Sequence, residues 1–175
     1  MNKAPKLDAA RSKWPTDLPA DPDFDSLIDA DYGLLQYHFV EFVIAHLSDC
    51  SRVFGGDLQE MLVLGLIGQV FLRRYNSGAR IEDEADHSAI SASRIADILG
   101  VPRETVRRKL QSLSERGWIV QTDHSMWKLK FRDGASVARE ELSELDRRGR
   151  SRMAKAVLTL SPLLKAALEK AEKPK

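Results

Sequence analysis

Two stretches in the first half of the chain are apolar on almost every side of a helical repeat. The first runs from about Leu27 to Ser51, and the second runs from Asp57 to about Tyr75. A helix that is apolar nearly all round must be buried on more than one side. Because the chain has only 175 residues, one small core cannot cover both helices, and the pattern predicts a second subunit.

Glycine, proline and acidic residues mark the limits of these helices. Gly55 and Gly56 separate the two, and Asp57 followed by Glu60 is typical of a capping box at a helix start. Residues 1–25 are rich in proline and aspartate, which predicts an irregular or disordered arm. An acidic loop at 81–87 follows the second helix.

The segment from Ser91 to Val120 predicts a helix-turn-helix. Gly100 lies between two short amphipathic helices, at about 93–99 and 103–116, where a left-handed turn is favourable only for glycine. A short turn between two such helices is typical of DNA-binding proteins, and the second helix enters the major groove. The predicted buried residues are Ile95, Ala96, Leu99, Val106, Leu110 and Leu113.

A predicted β-hairpin follows the second helix. Gly117 ends the helix, residues 118–120 form a strand, residues 122–125 turn, and residues 126–131 return as a second strand. A helix-turn-helix followed by such a hairpin is a winged helix. The fold class is therefore predicted as mainly α, with a small β-hairpin wing and dimerisation helices on both sides.

Charge is distributed unevenly along the chain, although the total is only +1. Residues 1–87 hold 8 Lys/Arg and 15 Asp/Glu, whereas residues 88–132 hold 9 Lys/Arg and 4 Asp/Glu. A basic segment of this kind is typical of a nucleic-acid contact surface, and it is also compatible with a solvated basic face.

The DNA-binding segment resembles the Crp/Fnr family of bacterial regulators. The residues that carry the resemblance are Ile95, Gly100, Arg103, Glu104, Thr105, Val106, Arg108, Leu110 and Leu113. The resemblance implies that Arg103, Glu104 and Arg108 read base edges. This chemistry is sound, because arginine pairs with guanine and glutamate accepts from the amino group of cytosine.

A second group of residues is predicted to contact the DNA backbone. It consists of Ser91, Ser93, Thr105, Arg107, Lys109, His124 and Lys128, and Arg116 and Lys130 are further cations within reach of phosphates. His124, at the wing tip, is either a phosphate contact or a solvated turn residue.

The rest of the chain departs from the Crp/Fnr pattern. The residues before the motif are too few for that family's β-roll sensor and have a helical pattern, so no cofactor is inferred. In size and layout the chain resembles the MarR group of dimeric regulators. We therefore expect a homodimer that binds a palindromic operator in double-stranded DNA, because protein symmetry and operator symmetry match.

The domain organisation follows from these elements. We expect an arm at 1–25, a helical dimerisation region at 26–87, the winged helix-turn-helix at 88–132 and C-terminal helices at 133–175. Within the last part, one long helix is predicted from about Ser136 to Leu160. Ser161 and Pro162 are predicted to start another helix, since serine caps helices and proline favours their first position.

Other functions have weaker support in the sequence. His38, Glu41 and His46 do not converge on one point of a helix, so no metal site is expected, and Cys50 lies in no nucleophile motif. The sequence contains neither a phosphate loop nor a nucleophile–base pair, so it does not indicate an enzyme. A winged helix that contacts a protein partner remains the alternative.

The expected location is the cytoplasm. The N-terminus has no apolar run of the signal-peptide type, and the apolar stretch from Met61 to Leu72 is too short to cross a bilayer. One cysteine excludes an internal disulfide, which agrees with a reducing compartment.

Overall fold

The computed structural model describes residues 32–76 and 88–171. The predicted arm, the first residues of the first helix, the acidic loop and the last four residues lie outside the described residues. The helices are α1 (Tyr32–Val53), α2 (Leu58–Asn76), α3 (Ala92–Leu99), α4 (Arg103–Glu115), α5 (Val137–Glu141) and α6 (Ser143–Ala171). The strands are β1 (Ile119–Gln121), β2 (Trp127–Leu129), β3 (Phe131–Arg132) and β4 (Ala135–Ser136). The mainly helical fold with a hairpin after the helix-turn-helix is confirmed.

The turn between α1 and α2 has the expected glycines and only half of the expected capping box. Gly55 and Gly56 both have positive φ, and the backbone N–H of Glu60 donates to Asp57 Oδ1 at 3.0 Å. The Glu60 carboxylate does not return to Asp57, because Ser112 of α4 and Arg116 just after α4 bind it instead. Asp57 therefore caps α2 locally, while the Glu60 side chain takes part in tertiary contacts with the α4 region.

The helix-turn-helix forms through local signals that agree with one another. The Ser91 side chain caps α3 by accepting from the N–H of Arg94 at 3.2 Å. Gly100 ends α3 with φ +66°, and its N–H donates to Ala96 O. Pro102 then precedes the first turn of α4.

The main apolar core lies where α2, α3, α4 and the first hairpin meet. Ile67 of α2, Ile95 of α3 and Leu110 of α4 are completely buried. Val106 and Leu113 flank Leu110 and are equally buried, so one whole face of α4 is occupied by packing. The opposite face of α4 is left to solvent.

The wing is a two-stranded antiparallel sheet with one added bridge. Val120 of β1 pairs with Lys128 of β2, and Ile90, before α3, bonds in both directions with Trp127. The second predicted strand ends earlier than expected. Residues 131–132 form a separate small hairpin with residues 135–136, since Asp133 and Gly134 both take the positive φ that a tight hairpin turn requires.

The predicted division of the C-terminal helices is wrong. The break lies at Leu142, between α5 and α6, and α6 continues through Pro162. The Ser161 hydroxyl donates to Val157 O at 2.7 Å, one turn back, so it does not cap a new helix. The local cap signal gave a wrong prediction here, because the serine hydroxyl bonds to a carbonyl of the preceding helical turn and not to the N–H groups of a new helix.

Substitution of Gly100 by alanine tests the turn of the helix-turn-helix. A left-handed conformation costs an L-residue about 1–2 kcal/mol, so the free energy of unfolding should fall by that amount. The matched control is Gly68→Ala in α2, where no atom beyond the helix's own neighbouring backbone lies within 4 Å of an added Cβ. This control should raise the free energy of unfolding by up to about 1 kcal/mol. Urea unfolding measures both, and effects of the same sign would contradict the assignment.

Candidate nucleic-acid interface

The exposed face of α4 begins at its first residue. Arg103, Glu104, Arg107 and Arg108 are all exposed, while Val106 points into the core. Glu104 and Arg108 lie about 40° apart around the helix axis, as do Arg103 and Arg107. Four ionic side chains are thus exposed on the first two turns of α4.

An ion pair organises two of these side chains. The Arg107 guanidinium donates to both oxygens of the Glu104 carboxylate, each at 2.9 Å. This hydrogen bonding holds the pKa of Glu104 below its ordinary value, so the carboxylate is ionised at neutral pH. A carboxylate accepts about four hydrogen bonds, so Glu104 can hold Arg107 and still accept from a base.

The wing residues lie in and next to the first hairpin. His124 is exposed in the turn, where the N–H of Ser125 donates to Thr122 O at 3.0 Å. Lys128 is half-buried in β2, and Lys130 is exposed just after it. Ser91 and Ser93 are half-buried at the start of α3, and Thr105 is half-buried in the first turn of α4.

The structure places two of the predicted cationic backbone contacts beside α2. Lys109 forms an ion pair with Asp57 at the start of α2, and its side chain is mostly buried. Arg116 binds the buried Glu60 at 3.1 Å and lies over the Trp118 ring, 4.9 Å from its centroid. Both cations face α2, because Lys109 and Arg116 lie at the same edge of the helical repeat, between the buried face and the exposed face.

These contacts form one polar cluster between two helices. The α2–α4 polar cluster consists of Asp57 and Glu60, just before and at the start of α2, with Lys109 and Ser112 of α4 and Arg116 just after it. Sequence reasoning missed it, although Lys109, Ser112 and Arg116 recur at helical spacing beside the apolar face. Their partners lie 52 residues away in the sequence for both hydrogen-bonded pairs, so no local pattern identifies them.

Histidine, cysteine and acidic residues of α1 make structural contacts. His38 pairs with Glu41 at 3.4 Å, and the His46 ring stacks on Phe42. Burial raises the pKa of the Cys50 thiol, which lies 3.7 Å from His46 Nε2. In residues 32–76 and 88–171, no group of three or more possible ligands is arranged to hold a metal ion. None of the helices described there is long and apolar enough to cross a membrane.

Comparison with known proteins identifies the type of helix-turn-helix. Residues 84–123 match the family model of the IclR helix-turn-helix domain. The match indicates a DNA-binding transcription regulator with a winged helix-turn-helix. No curated protein and no solved structure matches the chain.

The subtype differs from the sequence-based expectation. The matched model is of the IclR type, and neither the Crp/Fnr nor the MarR resemblance is supported. The matched residues contain α3, the turn at Gly100, α4 and β1. These elements are common to winged helix-turn-helix proteins, so the fold was predictable while the subtype was not.

Asp57 makes the stability of this interface dependent on pH. Burial opposes its ionisation, but hydrogen bonds from Lys109 and from the N–H of Glu60 outweigh burial and lower its pKa below the ordinary 3.8. A depressed pKa in the folded state stabilises the fold above the ordinary value, and this stabilisation is lost as the pH falls through the folded value.

The substitution Asp57→Asn tests this dependence. The wild type should lose more of its free energy of unfolding than the variant between about pH 6 and about pH 3. Urea unfolding at a series of pH values measures the difference. Asp97→Asn, at an exposed position of α3, is the control and should keep the wild-type profile. Equal acid sensitivity in wild type and Asp57→Asn would contradict the role of this ion pair.

Proposed function

We propose that the chain is a sequence-specific, homodimeric transcription regulator that places α4 in the major groove of DNA. The observation that carries the proposal is the two-sided character of α4. One side packs on α2 and is held there by the α2–α4 polar cluster, and the other side exposes Arg103, Glu104, Arg107 and Arg108. A helix supported on one side and rich in hydrogen-bonding groups on the other suits insertion into a groove.

We assign base reading to Arg103, Glu104 and Arg108. Arg103 and Glu104 occupy the first turn of α4, which enters deepest into the groove in helix-turn-helix complexes. Arg108 is close to Glu104 in angle and one turn further along, so its long side chain reaches the same strip of bases. Bidentate pairing of arginine with guanine, and acceptance from cytosine by glutamate, supply the specificity.

We assign backbone contacts to the residues around this strip. They are Ser91, Ser93, Thr105, Arg107, His124 and Lys128, and they place the protein on the duplex without reading its sequence. Lys109 is left out, because Asp57 binds its ammonium group and only 22% of its side chain is exposed, against 73% for Arg107. Arg107 keeps its place on the rim, where Glu104 holds its guanidinium in a fixed direction.

The homodimer and the palindromic operator belong to the same proposal. One recognition helix contacts only a few base pairs, and two half-sites related by a two-fold axis supply the remaining affinity and specificity. A cytoplasmic location fits a regulator that acts on DNA in the bacterial cell. We assign no catalytic role and no cofactor to the chain.

Binding to duplex DNA should depend strongly on salt. Each neutralised phosphate contributes about −0.9 to the slope of log affinity against log salt, so Arg107 and Lys128 of two protomers predict a slope of about −3.6. Fluorescence anisotropy with a labelled random-sequence duplex measures it. Lys128→Ala should make the slope shallower by about 1.8 per dimer, whereas the matched change Lys109→Ala should leave it unchanged. A flat wild-type profile would contradict the proposal and favour the protein-contact alternative.

Sequence preference should depend on Arg103 and Arg108. Replacing either with alanine should cost about 1–3 kcal/mol on the preferred site and much less on random DNA, because the lost contact is to a base. Selection of bound sequences from a random pool, followed by titration, measures both effects. If the Arg103→Ala and Arg108→Ala variants select the same sequences as the wild type, the assignment of base reading is wrong.

A further inference from the structure

The exposed side of α1 carries an apolar stripe with the spacing of a coiled coil. Tyr37, Val40, Ile44 and Leu47 follow one another at steps of three and four residues, and Gly33 and Ser51 extend the same steps at both ends. Tyr37 and Ile44 are 63% and 61% exposed, and Val40 and Leu47 are each 37% exposed. We call these four apolar residues, with the small residues at each end, the α1 stripe.

The α1 stripe is not the face that α1 uses inside the protomer. Phe42, His46 and Asp49 lie on the side that packs against α6, where Arg152 binds Asp49 and the His46 ring meets Gly149. At 100° per residue, the α1 stripe lies roughly 180° from these residues. Packing against α6 therefore leaves the stripe uncovered by the described part of the chain.

The period of the stripe indicates what kind of surface fits it. Alternating steps of three and four residues keep apolar side chains on a seam that another helix covers by knobs-into-holes packing. From Gly33 to Ser51 the seam is about 27 Å long at 1.5 Å per residue. The polar residues Gln36, Glu41 and Ser48 lie beside the stripe, and the exposed Leu34 and Phe39 lie further round the helix.

We propose that the α1 stripe pairs with α1 of a second copy of this chain, which deepens the proposed homodimer by naming its contact face. The stripe itself carries no charged residue, so two copies can meet without burying an ion, and helix pairs of this period are self-complementary. Residues 1–31 contain prolines at 5, 15, 19 and 22, and proline disfavours helix interiors, so the sequence favours a second copy over this segment as the partner helix.

The α1 pairing would also set the distance between the two recognition helices. Phe54, just after α1, packs edge-on against Trp118, and Arg116 at the end of α4 lies over the same Trp118 ring. The α2–α4 polar cluster connects the next helix to α4. The dimer contact is thus joined to each DNA-reading face through packed groups.

Charge substitution on the full-length chain tests the contact. Ile44→Glu places a charge in the middle of the α1 stripe, and Phe39→Glu places one on the same helix at similar exposure, 59%, away from the stripe. In sedimentation velocity at micromolar concentration, the wild type and Phe39→Glu should have twice the chain mass of 19.7 kDa, and Ile44→Glu should have the chain mass alone. A dimeric Ile44→Glu variant, or a monomeric wild type, would overturn the pairing.

Disulfide trapping gives a second test that requires no dissociation. Two samples are oxidised with glutathione disulfide: the Ile44→Cys variant by itself, and an equal mixture of the Ile44→Cys and Val40→Cys variants. Parallel helices would bring the two copies of position 44 together, whereas antiparallel helices would bring position 40 of one copy beside position 44 of the other. The native Cys50 is 1% exposed and does not compete. A covalent dimer in either sample supports the pairing, and the absence of a covalent dimer from both samples would overturn it.

DNA binding separates failure of this inference from failure of the proposed function. A folded, monomeric Ile44→Glu variant, verified by circular dichroism, should still bind random duplex at low salt, with roughly half the wild-type salt slope. Loss of all binding by the wild type would contradict the proposed function itself. Wild-type binding together with an unchanged dimer in Ile44→Glu would contradict only the α1 contact.

Discussion

The orientation of α4 on α2 is the constraint on which the other functional features depend. Apolar contact through Val106, Leu110 and Leu113 holds the helix but has little directional preference, since buried apolar area alone does not fix a rotation. The ion pairs of Lys109 with Asp57 and of Arg116 with Glu60 lie about two helical turns apart along one edge of α4. Two such contacts prevent the helix from rolling about its axis.

This orientation divides the basic residues of α4 by role. Lys109, and Arg116 just after the helix, pair with acids of the α2 region, while Arg103, Arg107 and Arg108 are exposed. Counting charge along the sequence treats these cations as equivalent. The net charge of residues 88–132 therefore overstates the number of cations available to DNA, and the identity of each cation's partner decides which ones remain.

Trp118 connects the parts of the molecule that the sequence separates. Its ring contacts Phe54 after α1 and Arg116 after α4, and its Nε1 donates to Glu141 of α5 at 2.7 Å. The residue is buried at the point where the recognition helix passes into the wing. Through this ring, the segment after α1 is joined both to the end of the recognition helix and to α5.

How far the sequence predicts this protein depends on the distance between the interacting residues. The α3–turn–α4 unit was predicted nearly residue by residue, because the Ser91 cap, Gly100 and the apolar spacing of α4 act within a few residues of one another. The second small hairpin and the break at Leu142 were missed, since turn and cap signals compete and packing decides between them.

The sequence by itself determined the helix-turn-helix, its wing and the exposed position of Arg103, Glu104 and Arg108. Only the tertiary structure decided that Lys109 and Arg116 face inward, and that residues 32–76 and 88–171 leave the outward side of α1 without cover. The physical reason is that helical periodicity determines which residues share a face of a helix. Which face meets a neighbour depends on charges and side chains that lie far away in the chain, such as Asp57 and Glu60 for α4.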